Sequence, residues 1–350
     1  MVRRFAFAVP GDLATPTGGY AYDRRMIAEL ERLGWAIDLV DLGEGFPRPS
    51  QEQRKAARER LVAIPAGCPI VIDGLAYGVL PEVALELCSH HPIIALVHHP
   101  LALESGLSAT QADDFRASER AALTAARRIV VTSITTARLL AANYGVPAGD
   151  IMVAYPGTDS VPAAHGSNDG IVRLLSIGAV VPRKGFDVLV AALATLPDLP
   201  WHLTIAGDRC RDPKTADQLD RDIANRKLSD RVAVLGAVSP ERVAELYAGA
   251  DLFTLASRFE GYGMAFSEAL AHGLPVIGTT AGAIPETVPD GAGVLVVPDD
   301  VAALATALRR VIENPDERRR MAASARAAAK GLPSWQQSAK RFARALEAVQ

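Results

Sequence analysis

Two glutamates, Glu260 and Glu268, have seven residues between them, among which are Gly261 and Gly263. The chain from Met264 onward predicts a helix, whose first amides lack intrahelical partners and, with the helix dipole, favour a bound phosphate. A carboxylate only accepts hydrogen bonds, so two carboxylates beside an anion site suit hydroxyl-rich groups such as a sugar and a ribose. This stretch therefore predicts a clamp for a nucleoside diphosphate.

The elements around the two glutamates should place them at the edge of a parallel sheet. The apolar run 252–256 predicts a strand, 264–271 predicts a helix, and 275–278 predicts the next strand. Loops at the carboxyl ends of parallel strands are where α/β sheets hold ligands. The alternative is that Glu260 caps the helix and Glu268 is a solvated surface residue.

Two adjacent cations, Arg183 and Lys184, follow shortly after Gly178. They fall between a strand predicted at 172–177 and a helix predicted at 186–196. Arginine offers a planar fork of donors and lysine a point charge, and both suit a pyrophosphate. The alternative is a pair of exposed charges at a helix start, which the helix dipole disfavours.

The segment that begins at Glu260, EGYGMAFSEALAHGLPVI, resembles the E-x7-E signature of retaining glycosyltransferases of the GT-B fold. The large bacterial family that carries this signature is known as glycosyl transferases group 1. The segment from Gly282 to Glu286 is similar to the G-G-x-P-E loop of that family, although Ala283 replaces the second glycine. The resemblance implies transfer of a sugar from a nucleotide-diphosphate sugar to an acceptor hydroxyl, with retention at the anomeric carbon. The resemblance also implies that neither a metal ion nor a cofactor is needed.

The resemblance assigns roles to the cations and to two histidines. Lys184 matches the lysine of the R-x-x-x-K-G motif that grips the diphosphate. Ala179 stands where many members have an arginine, and Arg183 is the obvious substitute. His98 and His99 follow a predicted strand, and one of them should lie near the transferred sugar. His98 follows that strand more directly and is preferred, but the sequence leaves the choice open. The implied catalytic residues are Glu260, His98, His99, Lys184 and Arg183.

Several loops are implied to contact the donor nucleotide. The turn at Gly207 and Asp208 should lie behind the phosphates, and the loop at Val238 beside the base. Gly19 belongs to the first strand-to-helix loop, which is either a phosphate loop or simply a flexible turn. The implied donor-binding residues are Gly19, Gly178, Arg183, Lys184, Gly207, Asp208, Val238, Gly261, Tyr262, Gly263, Met264 and Glu268.

The polar, aperiodic segment 161–170 is the best candidate for a linker between domains. It divides the chain into an acceptor-side domain at 1–165, a nucleotide-sugar domain at 166–332 and a terminal helix at 333–350. Alternating strands and helices predict the α/β class, with two Rossmann-like domains facing across a cleft. The resemblance covers the second domain well and the first by pattern only, and it implies that the terminal helix returns to the first domain.

Composition sets limits on the kind of protein. A chain of 350 residues suffices for two domains, and its net charge of −3 gives no general reason to expect nucleic acid as a partner. Three widely spaced cysteines without a C-x-x-C motif, an N-terminus unlike a signal peptide and the lack of a long apolar run predict a cytoplasmic protein. The expected acceptor is a sugar or a glycolipid. Basic residues at 51–63 and 318–320 either lie on solvated faces or allow peripheral contact with the inner face of a membrane. The oligomeric state is not predicted.

Three other functions can be compared with glycosyl transfer. A nicotinamide dehydrogenase is disfavoured, because no predicted strand is followed by G-x-G-x-x-G with an acidic residue about twenty positions later. A sugar-nucleotide epimerase of the same fold would convert its substrate without an acceptor. A non-catalytic sugar-nucleotide-binding subunit is disfavoured by the combination of Glu260, Lys184 and Glu268.

Overall fold

Apolar runs of the sequence form two parallel sheets, one in each of the two units into which the chain divides. The computed structural model describes residues 3–104 and 106–350. The first unit comprises Met1–Gly157 and Pro333–Gln350, and the second comprises Thr158–Leu332. The predicted α/β class with two Rossmann-like domains is confirmed.

The sheet of the first unit is built from short, buried strands. Its strands are β1 (Arg3–Val9), β2 (Trp35–Asp41), β3 (Ile70–Asp73), β4 (Ile93–Val97), β5 (Arg128–Val131) and β6 (Ile151–Val153). They lie in the order β2-β1-β3-β4-β5-β6, and all neighbours are parallel. Strands β3 and β4 are buried at every position, as expected where both faces of a parallel sheet are covered.

Helices connect these strands, and all of those named here except the one that begins at Pro81 follow a residue whose side chain caps the first turn. They are α1 (Gly18–Arg32), α2 (Gln51–Val62), α3 (Gly74–Tyr77), α4 (Pro81–Leu87), α5 (Ala109–Leu123) and α6 (Ile134–Tyr144). Ser50 and Ser108 form capping boxes at α2 and α5, and Asp73 caps α3.

The second unit repeats this plan. Its strands are β7 (Val172–Ile177), β8 (Trp201–Ala206), β9 (Val232–Val234), β10 (Leu252–Thr254), β11 (Val276–Thr279) and β12 (Gly293–Val296). They are parallel and lie in the order β12-β11-β10-β7-β8-β9. The helices are α7 (Phe186–Leu193), α8 (Pro213–Asn225), α9 (Pro240–Ala248), α10 (Met264–Ala271), α11 (Ile284–Thr287), α12 (Val301–Glu313) and α13 (Pro315–Ala329).

The last helix, α14 (Trp335–Glu347), belongs to the first unit, where it packs against α1, β5 and β6. Its apolar side chains Phe342 and Leu346 are fully buried, and Trp335 is nearly so. The predicted return of the terminal helix to the first domain is confirmed. Among the helices that the structure describes, none combines the length and apolar character needed to cross a bilayer.

The division between the units falls at Gly157 and Thr158, before the boundary at 165 that the linker composition suggests. The intervening residues are held by the second unit. Ala164 N donates to His272 O at 2.8 Å, and His165 N donates to Ala248 O at 2.9 Å. A polar, aperiodic stretch does not reveal such backbone bonds, which explains the difference.

The strand order of each sheet reverses beside its first strand. In the second unit, β7 is flanked by β8 on one side and by β10 on the other. In the first unit, β1 is flanked by β2 and β3. The loops that leave the two strands at such a reversal turn in opposite directions, and the crevice between them is the usual ligand position in α/β sheets.

Candidate functional site

Glu260 lies in the loop between β10 and α10, and only 6% of the residue is exposed. Its Oε1 accepts hydrogen bonds from Lys184 Nζ at 2.7 Å and from Ser257 Oγ at 2.6 Å. Its Oε2 accepts a hydrogen bond from Arg183 Nη1 at 3.3 Å. The structure thus brings together three of the predicted catalytic residues, at the reversal point between β7 and β10.

The surroundings of Glu260 determine its charge. Burial by itself would raise the pKa of the carboxyl group, but the positive charges of Lys184 and Arg183 and the bonds from Lys184 and Ser257 lower it to about 2. Glu260 is therefore a carboxylate at neutral pH. A general base needs a pKa near the working pH, so this group is suited to accept hydrogen bonds and not to carry protons.

The segment that follows β11 fixes the backbone of Glu260. Its carbonyl oxygen accepts a hydrogen bond from Ala283 N at 2.9 Å. Gly282 has a φ of +55°, and a Cβ atom there would lie 2.2 Å from that same oxygen, so glycine is required. Ala283, which replaces a glycine of the family motif, is fully buried. The loop therefore tolerates alanine at this position while still supporting Glu260.

Helix α10 begins at Met264, as the sequence predicts. Its N-cap residue is Gly263, with a φ of +91°, and this residue has no side chain to occupy the first-turn amides. The preceding Tyr262 is buried, and its carbonyl oxygen accepts a hydrogen bond from Thr287 Oγ1 at 2.7 Å. Burial raises the pKa of the Tyr262 phenol to about 12, so the ring is neutral. With half-buried Gly261, this turn presents helix amides of the kind that bind phosphate.

Two glycines let Lys184 extend across the ends of β7 and β8. A Cβ atom on Gly207, just after β8, would lie 1.8 Å from the carbonyl oxygen of Gly178, just after β7. A Cβ atom on Gly178 would lie 2.9 Å from Cε of Lys184. The lysine stem therefore runs over Gly178 on its way to Glu260. A side chain on Gly178 would collide with this stem, and one on Gly207 would collide with the backbone of Gly178.

The turn at Asp208 connects the neighbouring loops. Its carbonyl oxygen accepts a hydrogen bond from Val180 N at 2.8 Å, and Gly207 N donates to Gly236 O at 2.8 Å. Val238, the residue expected beside the nucleotide base, is half-buried in the same loop as Gly236. The loops after β7, β8 and β9 therefore form one continuous edge of the sheet.

Sequence reasoning missed Arg258, which ties this edge together. Its guanidinium donates to Asp187 Oδ2 and Asp299 Oδ1, each at 2.7 Å, and to Pro182 O at 2.5 Å. Its backbone N–H donates to Arg183 O at 2.8 Å. Arg258 thus joins the loops after β7, β10 and β12. In the sequence, Arg258, Asp187 and Asp299 are only opposite charges near predicted site residues. They lie too far apart in the chain for their pairing to be predicted.

Glu268 lies half-buried on α10, where its Oε2 accepts a hydrogen bond from Tyr247 OH at 3.0 Å. Burial raises its pKa to about 7; the Tyr247 bond opposes this shift and the charge of Asp159 adds to it. Glu268 therefore titrates close to neutrality. Tyr247 also stacks on His272 with ring centroids 5.0 Å apart, which gives that histidine a packing role.

The first unit contains a second polar cluster, around His98 after β4. His98 Nε2 lies 3.1 Å from Asp23 Oδ1 and 3.4 Å from Asp73 Oδ2. Burial alone would lower the pKa of His98, but the two aspartates raise it to about 10. A Cβ atom on Gly19 would lie 3.4 Å from the His98 ring, so the first turn of α1, and not the preceding loop, passes directly beside it. His99 Nε2 instead lies 3.3 Å from Glu104 Oε2. Of the two histidines between which the sequence left the choice open, His98 is the one that faces the two aspartates.

Among residues 3–104 and 106–350, the ligand atoms of His98, Asp23 and Asp73 form the group that lies close enough to hold a metal ion, within 4.8 Å of one another. The same spacing fits a charged imidazole that is hydrogen-bonded to Asp23 and lies beside the charge of Asp73. Since Nε2 is already within hydrogen-bond distance of Asp23, we interpret the cluster as a hydrogen-bonded one.

Arginines of the two basic segments, 51–63 and 318–320, contact groups of the same unit. Arg58 pairs with Glu86, and Arg319 pairs with Asp316. Arg318 Nη1 donates to the last carbonyls of α12, Val311 O at 2.8 Å and Ile312 O at 2.6 Å. These contacts favour a solvated or helix-capping role for the arginines.

Comparison with known proteins agrees with this geometry. The family model described as glycosyl transferases group 1 matches residues 158–328, and that described as Glycosyltransferase Family 4 matches residues 76–161. Together the two matches span residues 76–328 and identify the chain as a glycosyltransferase, whose second unit is similar to the glycosyl transferases group 1 family.

Curated relatives share part of the sequence, and solved structures share the fold. The chain is 29% identical over 327 residues to the MMP alpha-(1->4)-mannosyltransferase of Mycolicibacterium hassiacum, covering 86% of this chain and 76% of that one. Other curated relatives align over 38% to 61% of their own length. Sucrose-phosphate synthase from Thermosynechococcus elongatus has a TM-score of 0.83 at 22% identity, with 99% of each chain covered. Anabaena Alr3699/HepE, solved in complex with UDP-glucose, has a TM-score of 0.75 at 19% identity, with 98% of this chain and 99% of that one covered.

Proposed function

We propose that this glycosyltransferase moves a sugar from a nucleoside-diphosphate sugar to an acceptor hydroxyl, with retention at the anomeric carbon and without a metal ion. The observation that carries the proposal is the buried assembly of Lys184, Arg183 and Glu260 at the reversal point of the second sheet. A nucleotide-sugar donor is further supported by the UDP-glucose bound to the similar Anabaena protein.

The two cations and the helix start are suited to the leaving group. When the bond to the sugar breaks, negative charge develops on the diphosphate, and fixed positive groups that face it lower the barrier. Lys184 and Arg183 supply two positive charges, and the first amides of α10 supply a partial one. These groups would perform the neutralisation that a divalent ion performs in other enzymes.

Glu260 would hold hydroxyls of the transferred sugar, because it remains a carboxylate engaged by cations. Inversion needs a base on the face opposite the leaving group. Glu260 has too low a pKa for that role, and His98 has too high a pKa. The proton of the acceptor would therefore pass to the leaving phosphate on the same face, which gives retention. Glu268 would accept hydrogen bonds from the ribose, and His98 would donate to the transferred sugar.

The experiment is a donor screen by thermal shift followed by turnover. Since a ligand that binds only the folded state raises Tm, the correct nucleoside diphosphate should raise it and the corresponding sugar nucleotide should be consumed. Consumption should continue in EDTA. Loss of activity in EDTA that Mg²⁺ or Mn²⁺ restores would refute the metal-free mechanism, and conversion of the donor to another sugar nucleotide would indicate an epimerase.

A further inference from the structure

A single ring nitrogen of His98 faces two buried carboxylates that come from different elements. Asp23 lies on α1 and Asp73 ends β3, and neither side chain is exposed to solvent. Their nearest oxygens lie 3.1 Å and 3.4 Å from His98 Nε2. The three residues meet where the order of the first sheet reverses, so the fold and not a local turn creates this arrangement.

The carboxylates determine which nitrogen carries a proton. An unprotonated Nε2 would direct its lone pair at two acceptor oxygens, so Nε2 must be an N–H. Asp73 Oδ1 accepts a hydrogen bond from Leu75 N at 2.8 Å, but within the described parts of the chain the buried oxygens Asp23 Oδ2 and Asp73 Oδ2 have no hydrogen-bond partner. The contact between Asp73 Oδ2 and the His98 ring is therefore one of charge. Two buried carboxylates beside a neutral ring would be costly, whereas an imidazolium offsets one of the two charges.

The other ring nitrogen, Nδ1, has no hydrogen-bond partner among the residues that the structure describes, and 17% of the His98 side chain is exposed. The ring is held in place by Tyr22, whose edge-on contact has ring centroids 5.3 Å apart. With Nε2 committed to the aspartates, Nδ1 is the nitrogen left to meet a ligand. The groups that face His98 or its aspartates are Gly19, Tyr22, Asp23 and Arg24 from α1, Asp73 from β3 and Thr132 after β5.

We propose that Asp23 and Asp73 are positioning residues that hold His98 as an imidazolium with Nε2–H directed at them, so that Nδ1–H is a charged hydrogen-bond donor. The use of this donor on the transferred sugar rests on the proposed function; the charge state does not. The pKa of His98, raised to about 10, agrees with a proton held firmly on the ring, and the pKa of Asp23, raised to about 6 mainly by burial, leaves Asp23 ionised at pH 7. His98 is then a donor throughout the neutral range and not a base.

The direct test is ¹⁵N NMR of the full chain labelled at histidine. The resonance of His98, assigned by its loss in His98→Gln, should show both nitrogens protonated from pH 6 to 9. Asp23→Asn should lower the pKa of His98 by about 1–3 units, because a neighbouring charge is removed. Asp73→Asn provides the same test if Asp23→Asn does not fold. A neutral imidazole at pH 7 in the unmodified protein, or a pKa of His98 unchanged in both variants, would overturn the proposal.

The pH dependence of turnover supplies a second measurement. It would not change in Asp23→Asn if Asp23 had a purely structural role. In Asp23→Asn, kcat should fall by about tenfold per pH unit above the lowered pKa, whereas the unmodified protein should stay nearly level over that range. Asp38→Asn is the matched control, because Asp38 is an aspartate of the same unit that pairs with Arg4 on the surface. If no donor is consumed at all, the proposed function fails, and the NMR titration still decides the charge of His98.

Discussion

Lys184 Nζ lies 2.7 Å from Glu260 Oε1, although 76 residues separate the two in the chain. The contact joins the loops after β7 and β10, which leave the second sheet on either side of its reversal. Because the pair is buried and shared with Arg183, removing one member leaves an uncompensated charge inside the protein. Stability and turnover must therefore be measured together at this site.

Lys184→Ala should lower the free energy of unfolding by about 1–3 kcal/mol, because Glu260 loses a charged partner and keeps Arg183. Lys184→Ala combined with Glu260→Gln should recover much of that loss, since the buried charge is gone. Urea unfolding measures both. Turnover should stay low in both variants, because the cation facing the leaving group is missing. Normal turnover in the double variant would make Lys184 a purely structural residue.

The Lys184–Glu260 pair should also make stability depend on acidity. The pKa of Glu260 falls from 4.5 in its ordinary state to about 2 in the folded protein. A depressed carboxyl pKa stabilises the folded state above pH 4.5, and this contribution is lost as the pH falls from 4.5 toward 2. Unfolding free energies of the unmodified protein and of Glu260→Gln should therefore converge across that window. A difference that stays constant with pH would contradict the pairing.

Glu268→Ala should weaken binding of the nucleoside diphosphate by about ten- to a hundredfold, because a charged partner of the ribose hydroxyls is lost. Calorimetry with the diphosphate that the donor screen selects would measure this. Unchanged affinity would remove Glu268 from the donor site.

The pH dependence of the same binding supplies an independent check. Since the pKa of Glu268 in the unliganded protein is about 7, its carboxylate form grows as the pH rises through 7, and affinity should strengthen over that range. Glu268→Gln lacks the titrating carboxyl group and serves as the control. Any pH dependence of binding that it still shows comes from the phosphates of the ligand. Equal pH profiles for the two proteins would mean that Glu268 does not titrate against the ligand.

Arg258→Ala should weaken nucleoside-diphosphate binding by about tenfold, because the loop that carries Arg183 loses its connection to Asp187 and Asp299. Arg309→Ala is the matched control, since Arg309 makes a similar two-pronged pair with Asp198 on the surface of the same unit. Calorimetry should show no change for this control. Equal effects of the two substitutions would indicate a general loss of stability and no role in loop positioning.

Much of the local structure could be predicted from patterns in the sequence. Helix α10 runs over the predicted residues 264–271, and strand β7 over the predicted 172–177. Both are set by short-range features: an apolar run for the strand, and a glycine turn followed by helix-forming residues. Apolar periodicity by itself predicts a helix over residues 115–127, whereas α5 begins at Ala109, because Ser108 and Gln111 form a capping box that this periodicity does not register.

Contacts between distant segments were the part that sequence reasoning could not supply. Arg258 and Asp187 meet because β10 and β7 are neighbours in the sheet, and strand order is not visible in local patterns. The same holds for Asp23 and Asp73, which no motif singles out. The choice between His98 and His99 likewise depends on which ring these aspartates face.

The central claim, retaining transfer from a nucleotide sugar, can be tested before the acceptor is known. Many transferases slowly pass their donor sugar to water, and ¹H NMR identifies which anomer is released first, before the sugar equilibrates in solution. We expect the first anomer to have the configuration of the donor, and we expect Lys184→Ala to release it far more slowly. Release of the opposite anomer first would contradict front-face transfer and the roles assigned here to Glu260 and the leaving phosphate.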